Sequence, residues 1–456
     1  MFNVIIIGAG ITGLTCAYQL RRKGLDVLVL EQQDRVGGQI NSVREGDFIF
    51  EAGPNTGVVK YPEVAELFEQ LGDRCTMEVA QASSKCRLIW KGDRFHPLPS
   101  GLGSAIATPL FRWHDKFRIL GEPWRKRGTD PNESVGSLAQ RRLGKSFVDY
   151  AVDPFLSGVY AGDPYQLPTR WALPKLYALE QEHGSFVRGS LAKARQPKSE
   201  RDRKATKKVF SARGGFSTLV HALADEIVRD RLITSAHQIQ VQPDGQGHWT
   251  ITYQSPTGGM TLQTAHVVTT CGAYSLPGLL PFVEADVMAD LSHLYYAPVV
   301  QVGVGIQDGG GVQWRAFGGL VPSREKRDML GILFPSACFT GRAPERGAAM
   351  AYFVGGTRHP EYLDWSDAQL QEMVNRSLHE MLGYPANKVA DAIRIFRHPR
   401  AIPQYDTHTP ARLAAIERVQ QQYPALTIAG NLRDGIGIGD RIKQGMSEAE
   451  KLILKF

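Results

Sequence analysis

Val4-Ile5-Ile6-Ile7-Gly8-Ala9-Gly10-Ile11-Thr12-Gly13 opens the chain, four β-formers running into G-x-G-x-x-G, with Leu14 to Lys23 following at helical spacing. The pattern predicts strand, tight turn and helix. Gly8 lets the chain turn, Gly10 lets backbone approach a pyrophosphate, and Gly13 lets the helix pack closely on the strand. The helix N-terminus then presents free N–H groups and a positive dipole to phosphate. A second apolar run, Asp26-Val27-Leu28-Val29-Leu30, ends in Glu31. That acid stands about twenty residues past the glycines, where a carboxylate bonds ribose hydroxyls.

Arg35-Val36-Gly37-Gly38-Gln39 and Glu51-Ala52-Gly53-Pro54-Asn55-Thr56-Gly57 come soon after the acid. Two glycine-bearing loops in this position resemble those of the two-dinucleotide-binding-domain flavoproteins, where the added glycines line FAD beyond its adenosine half. That resemblance implies FAD as cofactor, held by Gly8, Ala9, Gly10, Ile11, Thr12, Gly13, Glu31, Gln32, Arg35, Gly37, Gly38, Gly53, Pro54, Asn55 and Thr56. Ile239 joins them from a later hairpin, and Gly430, Ile436, Gly437 and Ile438 from the C-terminal tail. Such proteins usually have an arginine where Gln39 stands.

With 456 residues and 43% hydrophobic content, the chain has material for two or three domains with buried cores. Lys and Arg number 53 against 46 Asp and Glu, a net +7 that favours anionic surfaces or substrates without demanding nucleic acid. The cysteines Cys16, Cys75, Cys86, Cys271 and Cys338 are scattered and lack any C-x-x-C, so neither a disulfide framework nor a metal site is expected, and a reducing compartment fits. No leader is expected before the first strand, and no window approaches a spanning helix. A cytoplasmic protein with peripheral membrane contact is expected.

Tyr61 to Leu71 reads as a helix stopped by Gly72, and Cys86 to Pro99 as a short hairpin. From about Gly101 to Lys208 the pattern is helical. It includes Phe111-Arg112-Trp113-His114-Asp115-Lys116-Phe117 and Trp124-Arg125-Lys126-Arg127, a mixture of aromatics and cations suited to a headgroup interface. The Lys- and Arg-rich stretch from Lys193 to Lys208 reads as a mobile surface loop. Ile239 to Val241 and Trp249 to Tyr253 form a predicted hairpin, and Ala265 to Thr269 a buried parallel strand. Runs at Val299 to Ile306, Phe317 to Val321, Leu330 to Phe334 and Met350 to Val354 predict a second, β-rich unit with a helix over Asp367 to Leu382. The tail predicts a strand at Leu426 to Ile428 and a helix from about Arg441 to Leu454.

Four stretches together resemble the protoporphyrinogen oxidase family, FAD enzymes of late haem synthesis, over essentially the whole chain. They are Glu51 to Thr56, Arg87-Leu88-Ile89-Trp90 ahead of Pro97-Leu98-Pro99-Ser100, Asp153-Pro154-Phe155-Leu156-Ser157-Gly158-Val159-Tyr160-Ala161-Gly162-Asp163, and Ala401-Ile402-Pro403-Gln404-Tyr405. The third has no generic structural cause beyond its final turn. The resemblance implies an α/β fold with a Rossmann-type FAD domain (1–80, 209–275 and 395–456), a mixed-sheet substrate domain (81–100 and 276–394), and an inserted helical membrane-binding region (101–208). It also implies that Arg87 holds a propionate of the tetrapyrrole, that Gly158 keeps the backbone beside the macrocycle free of a side chain, and that Leu320, Leu333 and Phe353 sandwich the rings.

The family's reaction takes hydride from the methylene bridges of protoporphyrinogen IX to flavin N5, six electrons in all, with molecular oxygen reoxidising the flavin to give peroxide. The cofactor carries the chemistry. No general base is assigned; His96 and His183 are the nearby candidates. Attachment to the inner face of a membrane and hand-over of product to ferrochelatase also follow from the resemblance. The alternatives keep FAD but change the role: coproporphyrinogen III oxidation, amine oxidation or desaturation, or a non-catalytic FAD-binding partner.

Overall fold

The computed structural model describes every residue except Gln196 and Lys198. Phe2–Ile7 is the centre of its first sheet, paired in parallel with Val27–Leu30 on one side and Gly258–Thr269 on the other. Leu426–Ile428 adds a further parallel strand to Gly258–Thr269, which also runs antiparallel to Trp249–Ser255, itself hairpinned with His237–Pro243. Alternation along the first strand is buried on both sides. Val4 and Ile6 face the helices Ile11–Arg22, Phe216–Ile227 and Ile438–Ile453, while Ile5 and Ile7 face a layer containing Leu276, Met288, Leu291 and Ile416.

The second sheet runs Ala392–Pro403, Tyr296–Ile306, Ala348–Gly355, Gly331–Leu333, Gly318–Leu320, Arg87–Lys91 and Arg94–Pro97. Only the Gly318–Leu320 and Arg87–Lys91 pair is parallel, so the sheet is mixed. Val300, Val302, Met350 and Tyr352 on its back face pack against Leu370, Met373, Val374 and Leu378 of the helix Asp367–Glu380.

The chain divides between the two layers at other points than the resemblance implies. Ala392–Pro403 straddles the expected boundary at 394/395 and hydrogen-bonds along Tyr296–Ile306, so it belongs to the second sheet. Residues 276–291, expected with the substrate unit, contribute Leu276, Leu279, Val287 and Leu291 to the core under the first sheet. A strand's burial pattern is local, but which sheet it joins depends on a partner roughly a hundred residues away, and that was not legible.

Residues 101–208 fold as a set of helices, chiefly Trp113–Leu120, Val135–Leu143, Asp153–Tyr160, Pro174–His183 and Phe186–Ala194. A buried ion network ties them together. Arg142 bonds Glu122 and Glu180 at 2.5 Å each, Arg141 bonds Glu133 and Glu180, and Glu122 also accepts from Ser185 and the Phe186 N–H. Removing one member would strand a buried charge, which is why such networks hold one arrangement. The described residues of the stretch Lys193 to Lys208, expected as a mobile surface loop, include helical turns. A helical turn at Glu200–Arg203 is capped by Ser199 and docked on the helix Pro62–Leu71, with Arg201 on Glu63 and Glu66 and Lys204 on Glu69; residues 196 and 198 lie outside the described residues.

Candidate active site

The glycine turn has the geometry that a phosphate cradle needs. A Cβ on Gly13 would run into the carbonyl oxygen of Gly8, so close helix packing requires glycine there. On Gly10 it would meet nothing within 4 Å, and Gly10 has φ −73° and ψ 174°, open to any residue. Open space therefore lies at Gly10, in front of the N-terminus of the helix Ile11–Arg22. The buried Glu31 carboxylate accepts from Ala9 N–H at 2.7 Å and Gln33 N–H at 2.9 Å, which fixes it at the end of its strand beside the turn. Gln32 is exposed there. Ser235 and Ala236 donate backbone hydrogen bonds to the carbonyls of Gln33 and Glu31, bringing the half-buried Ile239, at a bulge of its edge strand, to the same end.

Arg35 is engaged by the backbone of its own loop. Its guanidinium donates to the carbonyls of Val36 and Ile40 at 3.2 Å and of Gly38 at 2.9 Å, clipping the Gly37–Gly38 loop against Gly10. Gln39 reaches across to the carbonyls of Arg400 and Ala401, linking this loop to the second sheet. In the Gly53, Pro54, Asn55, Thr56 loop, the buried Asn55 turns its amide N–H to Gly53 while its Oδ1 has no partner among the described residues. A buried acceptor without a donor fits a hydroxyl-bearing ligand.

The helix Ile438–Ile453 begins three residues before the expected Arg441, because Gly437 is its cap and Asp440 accepts the Gly437 N–H at 3.1 Å. Arg441 is instead a buried brace: it bonds Gly430, Gln444 and Arg433, and Gln444 in turn accepts the Gly430 N–H. Tyr405 adds bonds to the carbonyls of Asn431 and Gly435. Burial holds the Arg441 guanidinium below its usual range. Gly430, Ile436, Gly437 and Ile438 thus form a rigid second helix entrance, packed close to the first by Gly445 against Thr12. Glycine turn, strand-end carboxylate, orphaned acceptor and two helix N-termini fit FAD.

Substrate residues named from sequence are brought onto one sheet face. Pairing aligns Arg87 with Gly318 and Leu333, and, two residues along, Ile89 with Leu320, Gly331 and Phe353. Residues two apart on a strand share a face, so Arg87, Leu320, Leu333 and Phe353 line the same surface, with glycines at 318 and 331 letting Leu333 and Leu320 pack close beside them. Leu320, Leu333 and Phe353 are each half-buried. This is also the face met by the first unit: Phe50 lies against Gly303, Phe48 against Gly305, and Gln301 bonds the Glu51 carbonyl. Arg87 is exposed, with its guanidinium 5.5 Å from the Phe317 ring centre and, among the described residues, no acid paired with it.

Gly158 sits on the helix Asp153–Tyr160 where a Cβ would run into Leu320 Cδ2, so that helix covers the same face. The motif around it does have a structural cause, contrary to the sequence expectation. Asp153 and Asp163 close on Arg358 at 2.5 and 3.1 Å, Asp153 also takes the Ser323 N–H, Ala161 accepts from Thr357 N–H, and Gln404 bonds the Tyr160 carbonyl. Both ends of the motif clamp the helical insert to the second sheet. His96 pairs with Ile89 at the sheet edge, and His183 packs between two helices of the insert beside Gly189.

Sequence reading also missed a buried ion pair. Glu51 and Arg342 form a buried pair at 3.5 Å; Glu51 also takes Phe216 N–H and Ser42 Oγ–H, and Arg342 bonds Ser211 and Ala212. Burial raises the Glu51 carboxyl above its ordinary range. Nothing around Arg342 in sequence signals this contact.

The fold and the cradle define an FAD-dependent oxidoreductase with a dinucleotide-binding core and a separate mixed sheet. The model of the flavin-containing amine oxidoreductases matches residues 11–453. Protoporphyrinogen oxidase from Bos taurus is 30% identical, covering 99% of this chain and 98% of its own, and protoporphyrinogen oxidase 2 from Arabidopsis thaliana is 28% identical, covering 99% and 94%. A crystal structure from Exiguobacterium sp., provisionally assigned as a protoporphyrinogen oxidase, superposes with a TM-score of 0.82 at 22% identity, covering 100% of this chain and 99% of that one. The chain belongs to the flavin-containing amine oxidoreductase family and, within it, to the protoporphyrinogen oxidases.

Proposed function

We propose that this protein oxidises protoporphyrinogen IX to protoporphyrin IX in haem biosynthesis, with molecular oxygen as the final acceptor. FAD, when bound, supplies the hydride acceptor. The observation that carries the reading is the shared face of Arg87, Leu320, Leu333 and Phe353, which opposes the strand leading into the Gly53–Thr56 loop. On this reading residues 1–80 and 209–275 with the tail hold the nucleotide, and the second sheet holds the tetrapyrrole. Leu320, Leu333 and Phe353 offer flat apolar contact to the macrocycle, and Arg87 at the margin pairs with a propionate by charge-assisted hydrogen bonds. Gly158 leaves the covering helix without a side chain where the ring enters.

Side-by-side turnover on protoporphyrinogen and coproporphyrinogen tests the substrate. The slot has one assigned arginine and three large apolar side chains, which suits vinyl groups better than two further carboxylates. We expect kcat/KM at least about tenfold higher for protoporphyrinogen, equivalent to ~1.4 kcal/mol of discrimination. A preference for coproporphyrinogen would reassign the enzyme.

Membrane contact is part of the proposal. No helix among the described residues is long and apolar enough to cross a membrane. The helix Trp113–Leu120 instead exposes Trp113, Phe117 and Leu120 on one side, 60%, 66% and 69% exposed, with Trp124 at 77% just beyond. Lys116 stacks on Trp113 at 4.4 Å, and Arg112, Arg125 and Arg127 are near in sequence. Phe111, read from sequence as part of this surface, is buried and stacks on Phe147 at 3.9 Å. Aromatics with flanking cations are what an anionic headgroup layer takes up. Replacing Trp113, Phe117 and Trp124 by Ser should release the protein from anionic vesicles while leaving the flavin spectrum unchanged. Undiminished vesicle binding would remove this surface from the proposal. Release of product to a membrane-associated ferrochelatase belongs to the same reading.

A further inference from the structure

Away from the sheet face, lysines gather around one tyrosine. Three lysine ammoniums surround the ring of Tyr61: Lys60 at 5.3 Å from its centre, Lys175 at 5.4 Å and Lys443 at 4.4 Å. They come from three elements: the approach to the helix Pro62–Leu71, the helix Pro174–His183 of the insert, and the helix Ile438–Ile453. A fourth, Lys207, is close enough to act on Lys175, and its backbone is pinned by a hydrogen bond from its N–H to the Val59 carbonyl at 2.8 Å.

Asp440 is the carboxylate set among them. One of its oxygens is taken by Lys60 at 3.0 Å and the other by the Gly437 N–H. The other groups facing the cluster are Tyr160, Glu63 and the buried Arg441. Burial first, and then repulsion from Lys60, Lys207 and Lys443, depresses the Lys175 ammonium below its usual range. A protein that needed only to tie its insert to the nucleotide unit would place opposite charges across this junction, as it does with Arg201 and Glu66. Here like charges converge from both sides, beside a helix N-terminus, and an anion would relieve the repulsion.

We propose that Lys60, Lys175, Lys207 and Lys443 around Tyr61 form a binding site for a small anion with two or more negative charges, engaged through carboxylate or phosphate oxygens. The proposal stands apart from the identity of the oxidised substrate, because it is tested by binding. FAD-loaded protein, in which the nucleotide cradle is filled, is titrated calorimetrically with inorganic pyrophosphate at low ionic strength. Lys175→Gln with Lys443→Gln should weaken binding at least about tenfold with the flavin spectrum intact, whereas Lys23→Gln, on the far end of the first helix, should leave it unchanged. Mesoporphyrin IX and its dimethyl ester are then used as competitors. Displacement by the diacid and not the ester identifies tetrapyrrole carboxylates as the ligand; no displacement by either identifies a phosphate compound; both support the site. Absence of pyrophosphate binding in the parent, or equal binding in parent and double variant, overturns it.

Discussion

Gly10→Val is expected to yield folded but colourless protein. Because a Cβ at this position meets nothing within 4 Å and the backbone is extended, a side chain can start here without a Cβ clash or backbone strain. What valine adds is a branched side chain in the space before the first helix, where the FAD pyrophosphate would lie. Flavin absorbance per protein should fall below about a tenth of the parent, a loss of more than ~1.4 kcal/mol in binding. Apo forms of parent and variant should melt together, since bound FAD stabilises only the form that binds it. Gly13→Val makes the contrast, since its side chain meets the Gly8 carbonyl inside the fold, so stability should fall along with the flavin. A Gly10→Val protein with a full FAD spectrum would show that the nucleotide lies elsewhere.

Arg87→Ala is expected to lower kcat/KM by about ten- to more than a hundredfold, from a charge-assisted bond of about 1.5–3 kcal/mol. Among the described residues the guanidinium has no acid partner to strand, and its removal costs the fold the contact with Phe317. Its strand lies at the far side of the sheet from Gly303, where Phe50 of the nucleotide unit packs, so FAD content should stay normal. A substrate with esterified propionates separates the roles: it should react poorly with the parent and lose little further in the variant. Equal losses on ester and free acid would make Arg87 a support of the fold.

These outcomes bear on what the sequence discloses. The first strand, its turn and Glu31 were legible because each rests on local chemistry: β-branched residues, a glycine that a carbonyl demands, an acid at a strand end. Arg87, Leu320, Leu333 and Phe353 could be named only through family resemblance. Their common face comes from registers among separate strands, with that of Arg87 more than two hundred residues from the others, and no periodicity encodes that. Arg342 against Glu51 and Arg358 between Asp153 and Asp163 were invisible for the same reason: an isolated arginine reads as surface until its partners are placed. The aromatics of 111–124 divided according to packing, with Phe111 taken inward by Phe147 and Trp113, Phe117 and Trp124 left outside.

The central claim is that a tetrapyrrole bound on the second sheet reduces the flavin held by the first. Mixing the oxidised yellow protein with protoporphyrinogen under strict exclusion of oxygen tests it most directly. Bleaching of the flavin band with matching growth of porphyrin fluorescence, and return of the yellow colour on admitting oxygen, is the predicted result. A flavin that stays oxidised with protoporphyrinogen, yet is bleached by a primary amine, would contradict the account and leave the chain an amine oxidase in function as well as fold.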